Sequence, residues 1–220
     1  MAEGEELETN ILVKLGFRIS PLRHGDGPMV TSSYYPRYIH VADKHQKDII
    51  EALEALKTET DRGAGIIGAT ILDLALTHSL KNYLHKNQKL TDAFFAITGP
   101  VGDLGPKVDL AFLICLIGEE AYRDLITVKN IRNYFAHRLN VSNFKSEAIA
   151  TLSRNLKIAE TRLCPQNFDY FDAADHEYWM WIPDRAATLA DPRERFILSV
   201  HLLCYGLSLA HETAMPPPRF

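Results

Sequence analysis

The segment from Asp61 to about His85 constrains the fold more than any other part of the chain. It opens on Asp61-Arg62-Gly63-Ala64-Gly65 and carries Ile66, Ile67, Ile71, Leu72, Leu74, Leu76, Leu80 and Leu84. Spaced at about 100° per residue, these side chains cover most of a helix rather than one stripe. A helix apolar on most sides must be surrounded, so it belongs at the centre of a helical bundle. Gly63, Ala64, Gly65, Gly68 and Ala69 would let a neighbouring helix approach closely. Asp73 interrupts the apolar run. A buried carboxylate is costly without a partner, and Arg132 or a helix N-terminus is the expected one.

The other periodic segments also read as helices. Asp43 is expected to cap a helix to about Lys57, and Thr91 a short one over Asp92–Ile97. Thr98 to Pro106 is a turn-rich connection. Pro106 should start a helix over Lys107–Ile117 that Gly118 ends. Ser142 or Asn143 should cap another over Lys145–Ala159. Asp191, Pro192 and Glu194 supply the opening of a last apolar helix to about Thr213. Strand patterns are nearly absent. The fold class is all-α, a bundle of about six or seven helices with up-and-down connections. Residues 1–42, broken by Pro and Gly, read as an N-terminal arm. Residues 43–214 read as a single helical domain, with an irregular aromatic-rich cover at 160–190, and 215–220 as a Pro-rich tail.

Composition excludes several classes. A chain of 220 residues that is 46% hydrophobic and 24% charged is an ordinary globular one. No uninterrupted apolar run approaches the roughly 20 residues that span a bilayer, so no membrane partner is expected. The acidic start, MAEGEELETN, lacks the features of a signal peptide. Cys115, Cys164 and Cys204 show no zinc spacing, and with no leader a reduced, cytoplasmic protein is expected. The histidines show no paired metal spacing either, so neither metal nor cofactor is expected. A net charge of −4 argues against a general nucleic-acid coat. Yet Arg123, Lys129, Arg132, Arg138, Lys145, Arg154 and Lys157 crowd into residues 123–157 against only Asp124 and Glu147, a locally basic surface suited to phosphate.

Glu119 to His137 lies within that basic stretch. Ala121, Leu125, Val128, Ile131 and Phe135 form its apolar face. Arg132 falls within about 20° of Leu125, at the edge of that face. Asn130, Asn133 and His137 make a polar ridge beside it.

Two resemblances meet here. Residues Thr60 to His137 resemble the mannitol operon repressor family. The matching pieces are the Asp61-Arg62-Gly63 opening, Leu72-Asp73, Gly99-Pro100-Val101-Gly102-Asp103-Leu104, and the terminal Arg132-Asn133-Tyr134-Phe135-Ala136-His137. That resemblance implies an all-helical transcriptional repressor or corepressor, acting on a protein partner such as a transcription factor. The terminal piece also resembles the Arg, polar residue, three others, His motif of HEPN-type ribonucleases. That resemblance implies a homodimeric, metal-independent RNA endonuclease of toxin or defence type, whose protein partner would be an antitoxin.

On the nuclease reading, His137 serves as general acid or base, Arg132 stabilises charge on the phosphate, and Asn133 orients phosphate or imidazole. Asp61, Arg62, Asp73, Lys129, Asn130 and Arg138 would support the site. In a straight helix His137 points about 140° away from Arg132, so the pair converges only if the last turn unwinds or a second subunit supplies one member. The alternative is a non-enzymatic regulator working through the aromatic segment or the apolar helices.

Overall fold

The computed structural model describes residues 29–30, 39–40, 51–84, 87–138, 143–163 and 185–213. Most of the arm, Asp43, Ser142, Cys164, the greater part of the aromatic segment and the Pro-rich tail lie outside the described residues. Apart from the antiparallel pairing of β1 (Met29–Val30) with β2 (Ile39–His40), all regular structure described is helical. A helical segment at 51–55 is followed by α1 (Asp61–Tyr83), α2 (Gln88–Phe95), α3 (Leu104–Leu113) and α4 (Glu119–His137). Next come α5 (Glu147–Arg154), α6 (Ile158–Leu163), α7 (Arg185–Ala190) and α8 (Pro192–Thr213).

α1 is central, as its composition requires. It starts where the Thr60 side chain accepts from the Gly63 N–H. α8, α4 and α3 pack around it. Leu72, Leu76 and Leu80 of α1 meet a core of Leu125, Val128, Ile131 and Phe135 from α4 and Phe196, Val200, Leu203 and Leu207 from α8, all fully buried. Each such side chain stabilises the fold by about 1.5–3 kcal/mol relative to leaving it in water. Ser79 ties the two longest helices together, donating to the Leu207 carbonyl at 2.9 Å. By length and composition α1 is apolar enough to cross a membrane, which revises the expectation that no stretch would be. Of that window, 56% is buried inside the bundle, as a core helix should be.

Several boundaries differ from those expected, each for a local reason. α2 begins at Gln88, four residues before the expected Asp92, because the Asn87 side chain accepts from the Leu90 N–H. α3 starts at Leu104 with Asp103 as its N-cap, so Pro106 falls within the first turn. It ends at Leu113, before Gly118. Cys115 takes a left-handed φ of 58°, Leu116 N–H reaches the Ala111 carbonyl (2.8 Å) and Cys115 N–H that of Phe112 (2.9 Å). This double closure stops a helix, and Cys115 stands where glycine is usual. Cys115 is therefore an exposed loop residue, whereas Cys204 is buried in α8. The single helix expected over Lys145–Ala159 is two, because the chain turns at Asn155 and restarts at Ile158.

Candidate functional site

α4 lays Leu125, Val128, Ile131 and Phe135 into the core, and this fixes where its polar residues point. Arg132 is exposed rather than at the edge of the buried face, and Asn133 is half-buried beside it. The Arg132 Nη1 donates to Asn133 Oδ1 at 3.1 Å. Both residues, with Lys129 one turn earlier, line a cavity of about 420 Å³. The opposite wall is Asp73 and Thr70 of α1. The floor is the loop at Gly102 and Asp103 and the first turn of α3, Leu104 to Pro106.

Asp73 does not pair with Arg132. Its two carboxylate oxygens accept from Lys107 Nζ, each at 2.8 Å. The Lys107 side chain is 5% exposed and that of Asp73 30%, so the pair closes the wall and fastens α3 to α1. Asp73 thus has the partner that the sequence required, but it is Lys107 rather than Arg132 or a helix N-terminus.

Charges elsewhere on the basic stretch are largely engaged. Arg123 pairs with Glu119, and Lys157 with Glu160 at 2.7 Å. The Arg138 guanidinium lies 4.6 Å from the centre of the Tyr134 ring. Lys129 and Arg132 have no carboxylate partner among the described residues. Glycine at position 105 lets Lys129 lie over the first turn of α3: a Cβ there would stand 3.2 Å from its ammonium.

The other sequence-predicted residues are placed away from this cavity. His137 is exposed in the last turn of α4 and does not line it. α4 stays helical through His137, so the unwinding that would turn its imidazole toward Arg132 does not occur. Asn130 is half-buried and also outside the lining. Asp61, Arg62 and Arg138 form a fastening at the far end of α1. Asp61 accepts from the Phe144 N–H (2.9 Å) and pairs with Arg193 Nε (2.9 Å). Arg62 Nη2 donates to the Arg138 carbonyl (3.0 Å), satisfying an end of α4. The cavity thus joins Asp73, Lys129, Arg132 and Asn133, and separates them from His137, Asn130, Asp61, Arg62 and Arg138.

Sequence reasoning missed the first turn of α3 as part of this cavity and Lys107 as the partner of Asp73 in its wall. The sequence marks Thr98 to Pro106 only as a turn-rich connection. Among the described residues no cluster of His, Cys, Asp and Glu could hold a metal ion. What the cavity offers is positive charge and hydrogen-bond donors, and no imidazole lines it among the described residues.

The arrangement defines an all-α bundle built on one buried helix, and this is the fold shared with the solved structures to which the chain compares. The protein MtlR, solved as the MtlR–HPr complex from Escherichia coli, superposes with a TM-score of 0.54 at 22% identity, over 74% of this chain and 100% of that one. YggD from Shigella flexneri, described as a possible transcriptional regulator, gives a TM-score of 0.54 at 14% identity, over 72% of this chain and 98% of that one. No family model and no curated protein matches the sequence. The likeness is one of fold. It agrees with the mannitol-operon-repressor resemblance and leaves the ribonuclease motif without support.

Proposed function

We propose that this chain is a non-enzymatic regulator of the mannitol operon repressor type that acts by binding another protein. The observation that carries the reading is the extent of the fold likeness, which takes in the whole length of MtlR, a protein solved bound to HPr. The site geometry supports it. Arg132 lines the cavity and His137 does not, so among the described residues the guanidinium and imidazole that metal-independent RNA cleavage would use are not brought together there. The HPr protein of the same source is the first partner to test. Exposed apolar side chains at Leu90, Ile97 and Leu113 give such a partner something to bury.

The enzymatic alternative is tested by incubating the purified chain, and its His137→Ala variant, with structured and single-stranded RNA. Both are expected to leave the RNA intact. Cleavage by the natural chain that disappears in the variant would overturn the proposal and restore the homodimeric nuclease.

A further inference from the structure

The cavity between α1, α3 and α4 holds two cations, Lys129 and Arg132, that have no carboxylate partner among the described residues. The Lys129 ammonium sits over the first turn of α3, which is the positive end of that helix's dipole. Alone, that placement is unfavourable. Arg132 enters the same space from the next turn of α4, its guanidinium held to one side by Asn133. Asp103 caps α3 without a side-chain hydrogen bond, leaving the Leu104 and Gly105 N–H groups directed out of the helix start with no acceptor among the described residues. Asp73 cannot compensate, because both its oxygens are occupied by Lys107. The Asp103 carboxylate is the one acidic group on the rim still free to act.

We infer that this cavity binds a small hydroxylated phosphate monoester, with the phosphate between Lys129, Arg132 and the α3 start. The guanidinium fork suits two phosphate oxygens, the ammonium acts as a point charge, and backbone N–H groups take a third oxygen. About 420 Å³ is more than inorganic phosphate fills, so the organic part of the ester lies inside as well. Its neighbours are the Thr70 hydroxyl, the Asn133 amide and the Asp103 carboxylate. These exchange hydrogen bonds with hydroxyl groups. Among the described residues no aromatic ring lines the cavity to stack on a base, which favours a sugar or polyol phosphate over a nucleotide. The inference does not depend on the partner-binding proposal: the cavity's charge is the same whether or not a protein docks elsewhere.

The test is a calorimetric titration of the full chain, at constant ionic strength, with glucose 6-phosphate, glucose, inorganic phosphate and AMP. Saturable binding of glucose 6-phosphate, tighter than inorganic phosphate and absent for glucose, is expected. Arg132→Ala should weaken it by about tenfold or more, and Lys129→Ala likewise. Arg132 is exposed and its side chain hydrogen-bonds only to Asn133 among the described residues, so circular dichroism should show that variant folded as the natural chain is. Asp103→Asn removes the rim charge and keeps a side chain that hydrogen-bonds hydroxyl groups, so it should tighten binding. Affinity equal in the natural chain and Arg132→Ala, or no saturable binding of either phosphate, would overturn the site. AMP binding more tightly than glucose 6-phosphate would overturn the assigned ligand class.

Discussion

Gly65 and Gly68 decide how near the helices around α1 can come. A Cβ at position 65 would fall 2.3 Å from Cδ2 of the Phe135 ring, and one at position 68 would fall 2.9 Å from Cε1 of Phe196. Phe144 bridges those two rings, with its centroid 5.1 Å from each. One turn of α1 therefore seats a row of three aromatic side chains, all within about 1% of complete burial. Replacing Gly65 by Ala would gain about 1 kcal/mol of helix propensity but push a methyl into a ring that cannot bend aside. A net loss of about 1–3 kcal/mol is expected, read as a lower urea midpoint at unchanged slope. An unchanged midpoint would mean the helices separate freely there. The small residues of α1 were legible in the sequence as a place of close approach. Which residues would fill it was not, since Phe135, Phe144 and Phe196 come from three distant segments. The partner of Asp73 was equally hidden: Lys107 lies on a helix whose start was read three residues late.

At the scale of elements, α6 shows why boundaries were harder to read than helices. It has only six residues, and its opening N–H groups are satisfied from another helix. The Asp124 carboxylate of α4 accepts from the Lys157 and Ile158 N–H groups at 3.0 and 2.8 Å. No local capping signal marks the break, so the sequence read α5 and α6 as one helix. By contrast Asp191, whose Oδ1 accepts from the Arg193 and Glu194 N–H groups, is a local cap and was legible. Burial pushes the Asp124 carboxyl up to about 6 from its ordinary 3.8, against the two backbone hydrogen bonds that lower it. Burial in α8 pulls His201 down to about 3 from 6.5. The two act in opposite directions between pH 4 and 6. There the native state holds more protons at Asp124, so that contribution falls as pH rises. The unfolded state holds more at His201, so that contribution falls as pH drops. Asp124→Asn keeps one of the two acceptors for α6, a loss that does not vary with pH, and removes the first of these pH-dependent effects. Its stability should therefore drop about 2 kcal/mol further than that of the natural chain on going from about pH 6 to about pH 4. Urea denaturation across that range gives the comparison. Parallel pH dependences would show that Asp124 ionises as an exposed carboxylate does.

Over the whole molecule, the bundle was legible because one helix too apolar to face water leaves few arrangements for the rest. The all-α class follows from it and is the class found. Function was less legible, because the motif that drew attention, Arg132 to His137, spans more than one turn of an unbroken helix. Arg132 faces a cavity made with α1 and α3, while His137 sits outside it at the helix end. A one-dimensional spacing cannot distinguish residues that share a site from residues that share only a helix. The regulator reading makes the more direct demand on experiment, since it requires a stoichiometric partner. The deciding measurement is a calorimetric titration of the full chain with HPr from the same source. It should give saturable binding, unchanged by His137→Ala. Absence of heat and of complex at every concentration reached would contradict a regulator that works by binding that protein.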